Sequence, residues 1–100
     1  MPTAYITAPP DFARELASTL VEEELAACVN ALPCSSVYRW GGEVVEDEEV
    51  ILLAKTTAER YADLEARVVE VHPYDVPCVE RFEESGLLDA FADWRAESVR

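Results

Sequence analysis

The chain is short of positive charge, and this shortage excludes one class of partner. Only eight of its 100 residues are lysine or arginine, against 21 aspartates and glutamates, and the formal net charge is −13. A surface of this sign repels phosphate backbones, so we expect no nucleic-acid partner. Half of the residues are hydrophobic, which is not typical of disordered acidic chains. The charge instead favours a folded protein adapted to a salty cytoplasm.

Long apolar runs and paired cysteines are also missing. No stretch of about 18 apolar residues occurs, so we expect no membrane span. The first ten residues lack the basic and apolar regions of a signal peptide, and we expect a cytoplasmic location. The three cysteines, Cys28, Cys34 and Cys78, form no CxxC pair. Their odd number argues against a disulfide framework.

Motifs that carry catalysis are absent as well. His72 is the only histidine, and the sequence has no nucleophile–base pair, no glycine-rich phosphate loop and no cluster of metal ligands. We therefore predict that the protein is not an enzyme. Its length is that of one domain, which we place over residues 1–100.

The stretch Leu25–Trp40 organises the rest of the chain. Its second half alternates polar and apolar residues as a strand does, and Gly41-Gly42 then predicts a tight hairpin turn. Pro33 cannot donate a backbone hydrogen bond, so it predicts a bulge, a sheet edge or a break in the strand. Aromatic residues next to the turn, Tyr38 and Trp40, indicate a surface that contacts a partner.

The other elements follow from hydrophobic periodicity. Thr56 and Glu59 have the spacing of a capping box at the start of the second helix. The predicted elements are a strand over Thr3–Thr7, a helix from about Asp11 to Ala27, a strand from Cys28, a strand from Glu43 that the acidic block Glu46–Glu49 divides into an exposed outer half and a buried inner half, a helix over Thr57–Val71, a strand over Val76–Phe82 and an amphipathic helix after Gly86.

This order of elements predicts an α+β, ferredoxin-like βαββαβ fold with an extra C-terminal helix. Right-handed crossovers place both main helices on one face of a four-stranded antiparallel sheet. The segment Val50–Ala54 is almost continuously apolar and needs cover on both of its faces. Since two helices cover only one face, we predict self-association through the other.

Six segments of the chain match a known family in order and spacing. They are T-A-P at Thr7–Pro9, L-A-A-C-V-N at Leu25–Asn30, Y-x-W at Tyr38–Trp40, E-D-E-E-V at Glu46–Val50, K-T-T at Lys55–Thr57 and H-P-Y-x-x-P at His72–Pro77. In these segments the chain resembles the divalent-cation-tolerance (CutA) family. The resemblance implies a homotrimer similar to the nitrogen-signalling PII proteins. It also implies a role in the response to metal ions and binding of copper(II) or another divalent cation.

The metal ligands that the resemblance implies are only partly present. Family members with proposed copper sites carry a cysteine before T-A-P, where this chain has Ile6, and two histidines where it has Val71-His72. We name His72 and Cys28 as candidate metal ligands, because imidazole and thiolate bind copper and zinc. The alternatives are a histidine that is hydrogen-bonded at a helix end and a buried cysteine without a ligand role.

A cleft between subunits is the second candidate site. Lys55 is the only lysine and stands beside the start of a helix, where free backbone N–H groups favour anions. The residues that we assign to this cleft or interface are Asn30, Tyr38, Trp40, Lys55 and Tyr74. Lys55 could equally pair with a neighbour's carboxylate. The sequence thus leaves three hypotheses, a metal-tolerance protein, a PII-like sensor of a small ligand and a trimeric scaffold.

Overall fold

The computed structural model describes all residues, 1–100, and has the predicted α+β, ferredoxin-like order of elements. The elements are β1 (Pro2–Ala8), α1 (Pro10–Glu22), β2 (Cys28–Trp40), β3 (Glu43–Lys55), α2 (Tyr61–Val71), β4 (Val79–Glu83) and α3 (Asp89–Ser98). The strands form one antiparallel sheet in the order β2-β3-β1-β4. None of the three helices combines the length and apolarity that crossing a membrane requires.

One face of the sheet carries the core. Alternate side chains of β1 and β3 point to the same side, where they meet the apolar faces of α1 and α2. The fully buried residues of this layer are Ala4, Ile6, Ala8, Leu16, Leu20, Leu52, Ala54, Leu64 and Val68. Both main helices therefore lie on one face, as predicted.

The opposite face of the sheet, here called the open face, is only partly covered. The alternation that buries Ile6 and Leu52 turns Tyr5, Ile51 and Leu53 to this side. The ring of Tyr5 stacks on that of Phe82 at a centroid distance of 5.5 Å. Phe82 is still 49% exposed. The prediction of an uncovered face is thus confirmed for the single chain.

The β2–β3 hairpin extends beyond the rest of the sheet. Gly41 and Gly42 have φ values of +60° and +82°, which a two-residue type I′ turn requires at both positions. Because β1 ends at Ala8, opposite Val50, residues 34–49 pair only with each other. This two-stranded segment, called the arm, contributes to the elongated dimensions of 45 × 25 × 20 Å. Trp40, beside the turn, is 56% exposed.

Helix α3 is attached to the sheet by a buried arginine. The side chain of Arg95 is fully buried and donates through Nε to the carbonyl of Thr56 over 2.7 Å. It also donates to the carbonyl of Pro2 and, over 3.0 Å, to Oε1 of Glu84. The hydroxyl of Thr3 donates to the same carboxylate. One side chain therefore connects α3 to the start of β1 and to the residues that directly follow β3 and β4.

The predicted end of α1 at Ala27 is wrong, because the helix ends at Glu22. Glu24 has a φ of +59°, and the amide of Leu25 bonds to the carbonyl of Leu20 over 2.9 Å. This is the Schellman arrangement, in which a left-handed residue closes the helix. The apolar stripe continues into Leu25 and Ala26, which are buried, so the pattern of side chains hid the change in backbone direction.

Two other predicted boundaries are also wrong. Helix α2 begins at Tyr61, not Thr57, and β4 begins at Val79, not Val76. The capping box does not form, because the hydroxyl of Thr56 donates instead to the carbonyl of Leu25 over 2.7 Å. Pro33 lies in register opposite Val50 without a break. Since β2 is the outermost strand of the sheet, the edge alternative for this proline is the one confirmed.

Candidate functional site

A pocket of about 590 Å³ lies at the base of the arm, between the hairpin and the loop that follows α2. We call it the arm pocket. Its lining includes three aromatic residues, two carboxylates and one thiol, namely Tyr38, Trp40, Tyr74, Glu49, Asp75 and Cys78. Tyr38 and Trp40 are two residues apart on β2, so both point to the same side of the hairpin. The pocket therefore combines aromatic surface with negative charge.

Two hydrogen bonds hold aromatic hydroxyls to carboxylates in this region. Tyr74 donates its hydroxyl to Oε2 of Glu49 over 3.0 Å, and Tyr38 donates its hydroxyl to Asp47. Burial, together with the bond to Glu49, raises the pKa of Tyr74 to about 12. The bond to Asp47 likewise raises the pKa of Tyr38. Both phenols are therefore neutral hydrogen-bond donors at physiological pH.

His72 fixes the loop that forms one side of the arm pocket. It follows the last residue of α2, and its Nε2 lies 2.8 Å from the carbonyl oxygen of Thr7, to which it donates. Its Nδ1 accepts the backbone N–H of Tyr74 over 3.1 Å. The ring is buried and lies 4.7 Å from that of Tyr74. Both nitrogens are thus used to hold Tyr74 in place beside β1.

The candidate metal ligands lie at opposite ends of the sheet. Cys28 is opposite Lys55, which in turn is opposite Thr3 on β1. His72 binds the carbonyl of Thr7, four residues along the strand and about 13 Å away. No group of three histidine, cysteine, aspartate or glutamate side chains is arranged to hold a metal ion within the chain. A joint role of His72 and Cys28 in metal binding therefore stays a prediction.

The residues assigned to a cleft between subunits also fall into two places. The amino group of Lys55 donates to Oδ1 of Asn30 over 2.9 Å, at the end of the sheet far from the hairpin turn. Tyr38, Trp40 and Tyr74 line the arm pocket. The two ends of the 13-residue strand β2 are about 40 Å apart. A cleft that contains all five residues therefore requires more than one subunit.

Sequence reasoning missed the most buried carboxylate of the arm pocket. The acidic block Glu46–Glu49 was predicted to divide β3 into an exposed outer half and a buried inner half, and Glu49, only 6% exposed, lies with the buried half. A signal was available, since Glu49 has the same strand parity as Ile51 and Leu53 and must point to the open face. Asp75 and Cys78 were not identifiable in this way, because they lie outside the strands.

A second concavity, of about 670 Å³, lies between α1 and β2. Its walls are mostly small apolar residues, among them Ala13, Ala17, Val29 and Ala31. Arg14 and Glu22 are the charged residues that line it. This groove offers neither convergent polar groups nor aromatic rings, so the arm pocket is the stronger candidate for a chemically selective site.

Comparison with known proteins gives consistent matches over the whole chain. The family model described as CutA1 divalent ion tolerance protein matches residues 3–98. The divalent-cation tolerance protein CutA of Thermus thermophilus is 46% identical over 96 residues, which cover 94% of this chain and 93% of that protein. The corresponding protein of Archaeoglobus fulgidus is 36% identical over 96 residues, which cover 95% of this chain and 94% of that protein.

Solved structures agree with these matches. The divalent cation tolerance protein of Thermus thermophilus superposes with a TM-score of 0.94 at 44% identity, with full coverage of both chains. The PII-like protein CutA from Nostoc, in its apo form, superposes with a TM-score of 0.97 at 33% identity. That match covers 100% of this chain and 98% of the Nostoc chain.

Proposed function

This chain belongs to the CutA1 divalent ion tolerance family, and from that membership we propose that it serves divalent-cation tolerance as a homotrimer that binds metal ions rather than as an enzyme. The observation that carries the proposal of an assembly is the combination of the open face with the arm. Each is a surface that a single chain leaves largely without cover.

The arm supports assembly because a two-stranded ribbon has little stability of its own in water. Val37, Trp40 and Val44 are 64%, 56% and 65% exposed. Large aromatic residues are favoured as anchors of interfaces. The resemblance to PII proteins implies three subunits, and the Nostoc relative is named a PII-like protein. Other copies of the chain would pack against the arm and the open face and leave the arm pocket as a cleft between subunits.

The assembly is tested by light scattering on the parent protein and on Trp40→Ala. We expect the parent to have the mass of three chains, and Trp40→Ala to dissociate at a higher protein concentration. Val69→Ala is the control, since Val69 is equally exposed, at 56%, but lies on α2, away from the open face. A parent mass of one chain would refute the proposal, and equal effects of the two variants would exclude the arm from the interface.

Copper(II), or another divalent cation, is the proposed ligand for metal tolerance, with His72 and Cys28 as ligands at separate places of one chain or from different subunits, since they lie at opposite ends of the sheet. The net charge of −13 supports a general attraction of cations. We expect copper(II) binding to be weak, because a metal on Nδ1 of His72 must displace the bond from the amide of Tyr74. Calorimetric titration should show weaker binding to His72→Gln and to Cys28→Ser than to the parent.

Copper spectroscopy gives a control that is independent of stability. An imidazole ligand produces nitrogen hyperfine splitting in the electron paramagnetic resonance spectrum of copper(II), and this splitting should be absent in His72→Gln. Binding of equal strength in the parent and both variants, with unchanged spectra, would place the copper elsewhere on the acidic surface.

A cytoplasmic location is part of the proposal. All three cysteines are free thiols, which suits a reducing compartment. Cell fractionation with an antibody against the chain would test it, and recovery with the periplasmic or membrane fraction would contradict it.

A further inference from the structure

We propose that the arm pocket is a binding site for a small organic cation, an alkylammonium or quaternary ammonium compound. This inference rests on the lining of the pocket and is independent of the proposed copper ligands. It assigns a ligand class to the hypothesis of a small-ligand sensor.

The first argument is a largely buried carboxylate that has no cationic partner in its own chain. Glu49 is only 6% exposed, and its carboxylate accepts a hydrogen bond from the neutral hydroxyl of Tyr74. The ion pairs of the chain involve other carboxylates, those of Glu23, Asp63, Glu70, Glu83 and Glu84. A buried carboxylate without a cation is costly. A positively charged ligand beside Glu49 would offset this cost.

The second argument is the aromatic surface that surrounds this carboxylate. Tyr38, Trp40 and Tyr74 line the same pocket, and faces of such rings attract ammonium groups. The hydroxyls of the two tyrosines already donate to carboxylates. Each tyrosine therefore offers a ligand its ring rather than its hydroxyl. No lysine, arginine or histidine is among the lining residues, so the chain itself offers an anion no counter-charge at this pocket.

The same lining favours an organic cation over a metal ion. Aromatic rings supply no lone pairs for coordination, and no set of three metal-binding side chains converges in the chain. The volume of about 590 Å³ lies in the range of small-molecule sites, which is about 300–1,000 Å³. An ammonium compound with methyl or alkyl groups uses both the negative charge and the apolar walls.

The test compares choline with its neutral isostere, 3,3-dimethylbutan-1-ol. Both are titrated in the presence of a chelator, with the fluorescence of Trp40 as the readout in a Trp94→Phe background. We expect choline to give a saturable change and the neutral compound to bind at least about tenfold more weakly. Because the chelator removes metal ions, failure of the copper proposal does not affect this result.

Matched substitutions on β3 show which carboxylate attracts the ligand. Glu49→Gln should weaken choline binding by at least about tenfold. Glu48→Gln makes the same change in net charge at the neighbouring, exposed residue on the other side of the strand, where its carboxylate accepts a bond from Ser35 over 2.9 Å. Glu48→Gln should change binding by less than about twofold. Equal losses in both variants would overturn the proposal in favour of a general surface attraction.

Variants of the aromatic residues give a second, independent measurement. Tyr74→Phe keeps the ring and should retain the preference for choline over the neutral compound. Tyr38→Leu keeps apolar surface but removes a ring of the same pocket, leaves the fluorescent reporter Trp40 in place, and should reduce that preference. Circular dichroism and light scattering confirm that each variant keeps the fold and assembly of the parent. Binding of the two compounds with equal strength, or no saturation by choline, would refute the proposal.

Discussion

Substitution of Arg95 by methionine tests whether the buried arginine holds α3 on the sheet. Methionine has a similar length and fills most of the same space, but it donates no hydrogen bonds. The change leaves the carbonyl of Thr56 without its donor and the carboxylate of Glu84 without its cationic partner, although the hydroxyl of Thr3 still donates to that carboxylate. The carbonyl of Pro2 keeps another partner, the amide of Thr56 at 3.3 Å.

The expected loss follows from these two groups. Removal of one partner of a buried ion pair costs about 3–5 kcal/mol, and Glu84 is near the lower bound because its side chain is 22% exposed. A buried carbonyl without a donor adds about 1–3 kcal/mol to the loss, and burial of the apolar methionine side chain offsets part of the total. We expect the free energy of unfolding to fall by about 4 kcal/mol, a large share of the 5–15 kcal/mol typical of domains.

Urea unfolding at a fixed protein concentration measures this loss, since the stability of an oligomer depends on concentration. Arg60→Met is the control, because Arg60 pairs with Asp63 over 2.9 Å at a surface where both side chains are accessible. That pair is worth about 0–1 kcal/mol. Losses that differ by less than about 1 kcal/mol between the two variants would refute the anchoring role of Arg95.

A double variant separates the ion pair from the packing. If the carboxylate left unpaired causes most of the loss, Arg95→Met combined with Glu84→Gln should be less destabilised than the sum of the two single variants. The difference should fall within about 0.5–3 kcal/mol, as for other directly interacting residues. Strict additivity would mean that the two side chains do not interact.

Three further predictions concern salt, pH and the hairpin turn. In the proposed trimer, three subunits of charge −13 would repel one another, and the screening length falls from about 8 Å at 0.15 M to about 3 Å at 1 M salt, so the melting temperature should rise in molar potassium chloride; a flat or falling value would show local pairing of the acidic residues. Burial opposes the ionisation of Glu84, but bonds from Thr3 and Arg95 outweigh it and lower the pKa of its carboxyl. The contribution of Glu84 to the free energy of unfolding should thus be fully present above the unfolded-state pKa of about 4.3 and be lost as the pH falls through the lower folded-state pKa. Urea unfolding of the parent at a series of pH values should show this loss, and the same measurement on Glu84→Gln should not. Gly42→Ala places a Cβ at a φ of +82° and should destabilise the chain by about 1 kcal/mol, whereas Gly86→Ala, without a positive φ, serves as its control in the same unfolding assay.

Local rules predicted most of the fold because its strands and turn follow them closely. The tight turn requires positive φ values at two successive residues, and Gly41 and Gly42 adopt them. The register of the hairpin then follows from the two-residue length of the turn. Counting back from that turn pairs Lys55 with Cys28. The separation of Lys55 from the hairpin aromatics was therefore available from the sequence. The end of α1 was not, since Glu24 is a residue type that seldom adopts a positive φ.

The candidate site was less predictable, because its contacts join distant segments. The bond between Tyr74 and Glu49 and that between His72 and Thr7 depend on how the loop after α2 meets the end of β1. No periodicity of either segment encodes that approach. The aromatic members of the pocket were identified as residues that need a partner surface, but the buried carboxylate among them was hidden within a run of exposed acids.

The early end of β1 has a consequence for how copies of this chain can meet. Beyond Val50, where pairing with β1 begins, the outer side of β3 has free backbone donors and acceptors over residues 43–49. Unprotected edges of this kind recruit strands from other molecules and lead to aggregation. Here the edge runs through the block Glu46–Glu49, so a second copy aligned on the same segment would bring carboxylates against carboxylates. Repulsion between the two acidic blocks thus disfavours edge-to-edge pairing of this segment with the same segment of another copy.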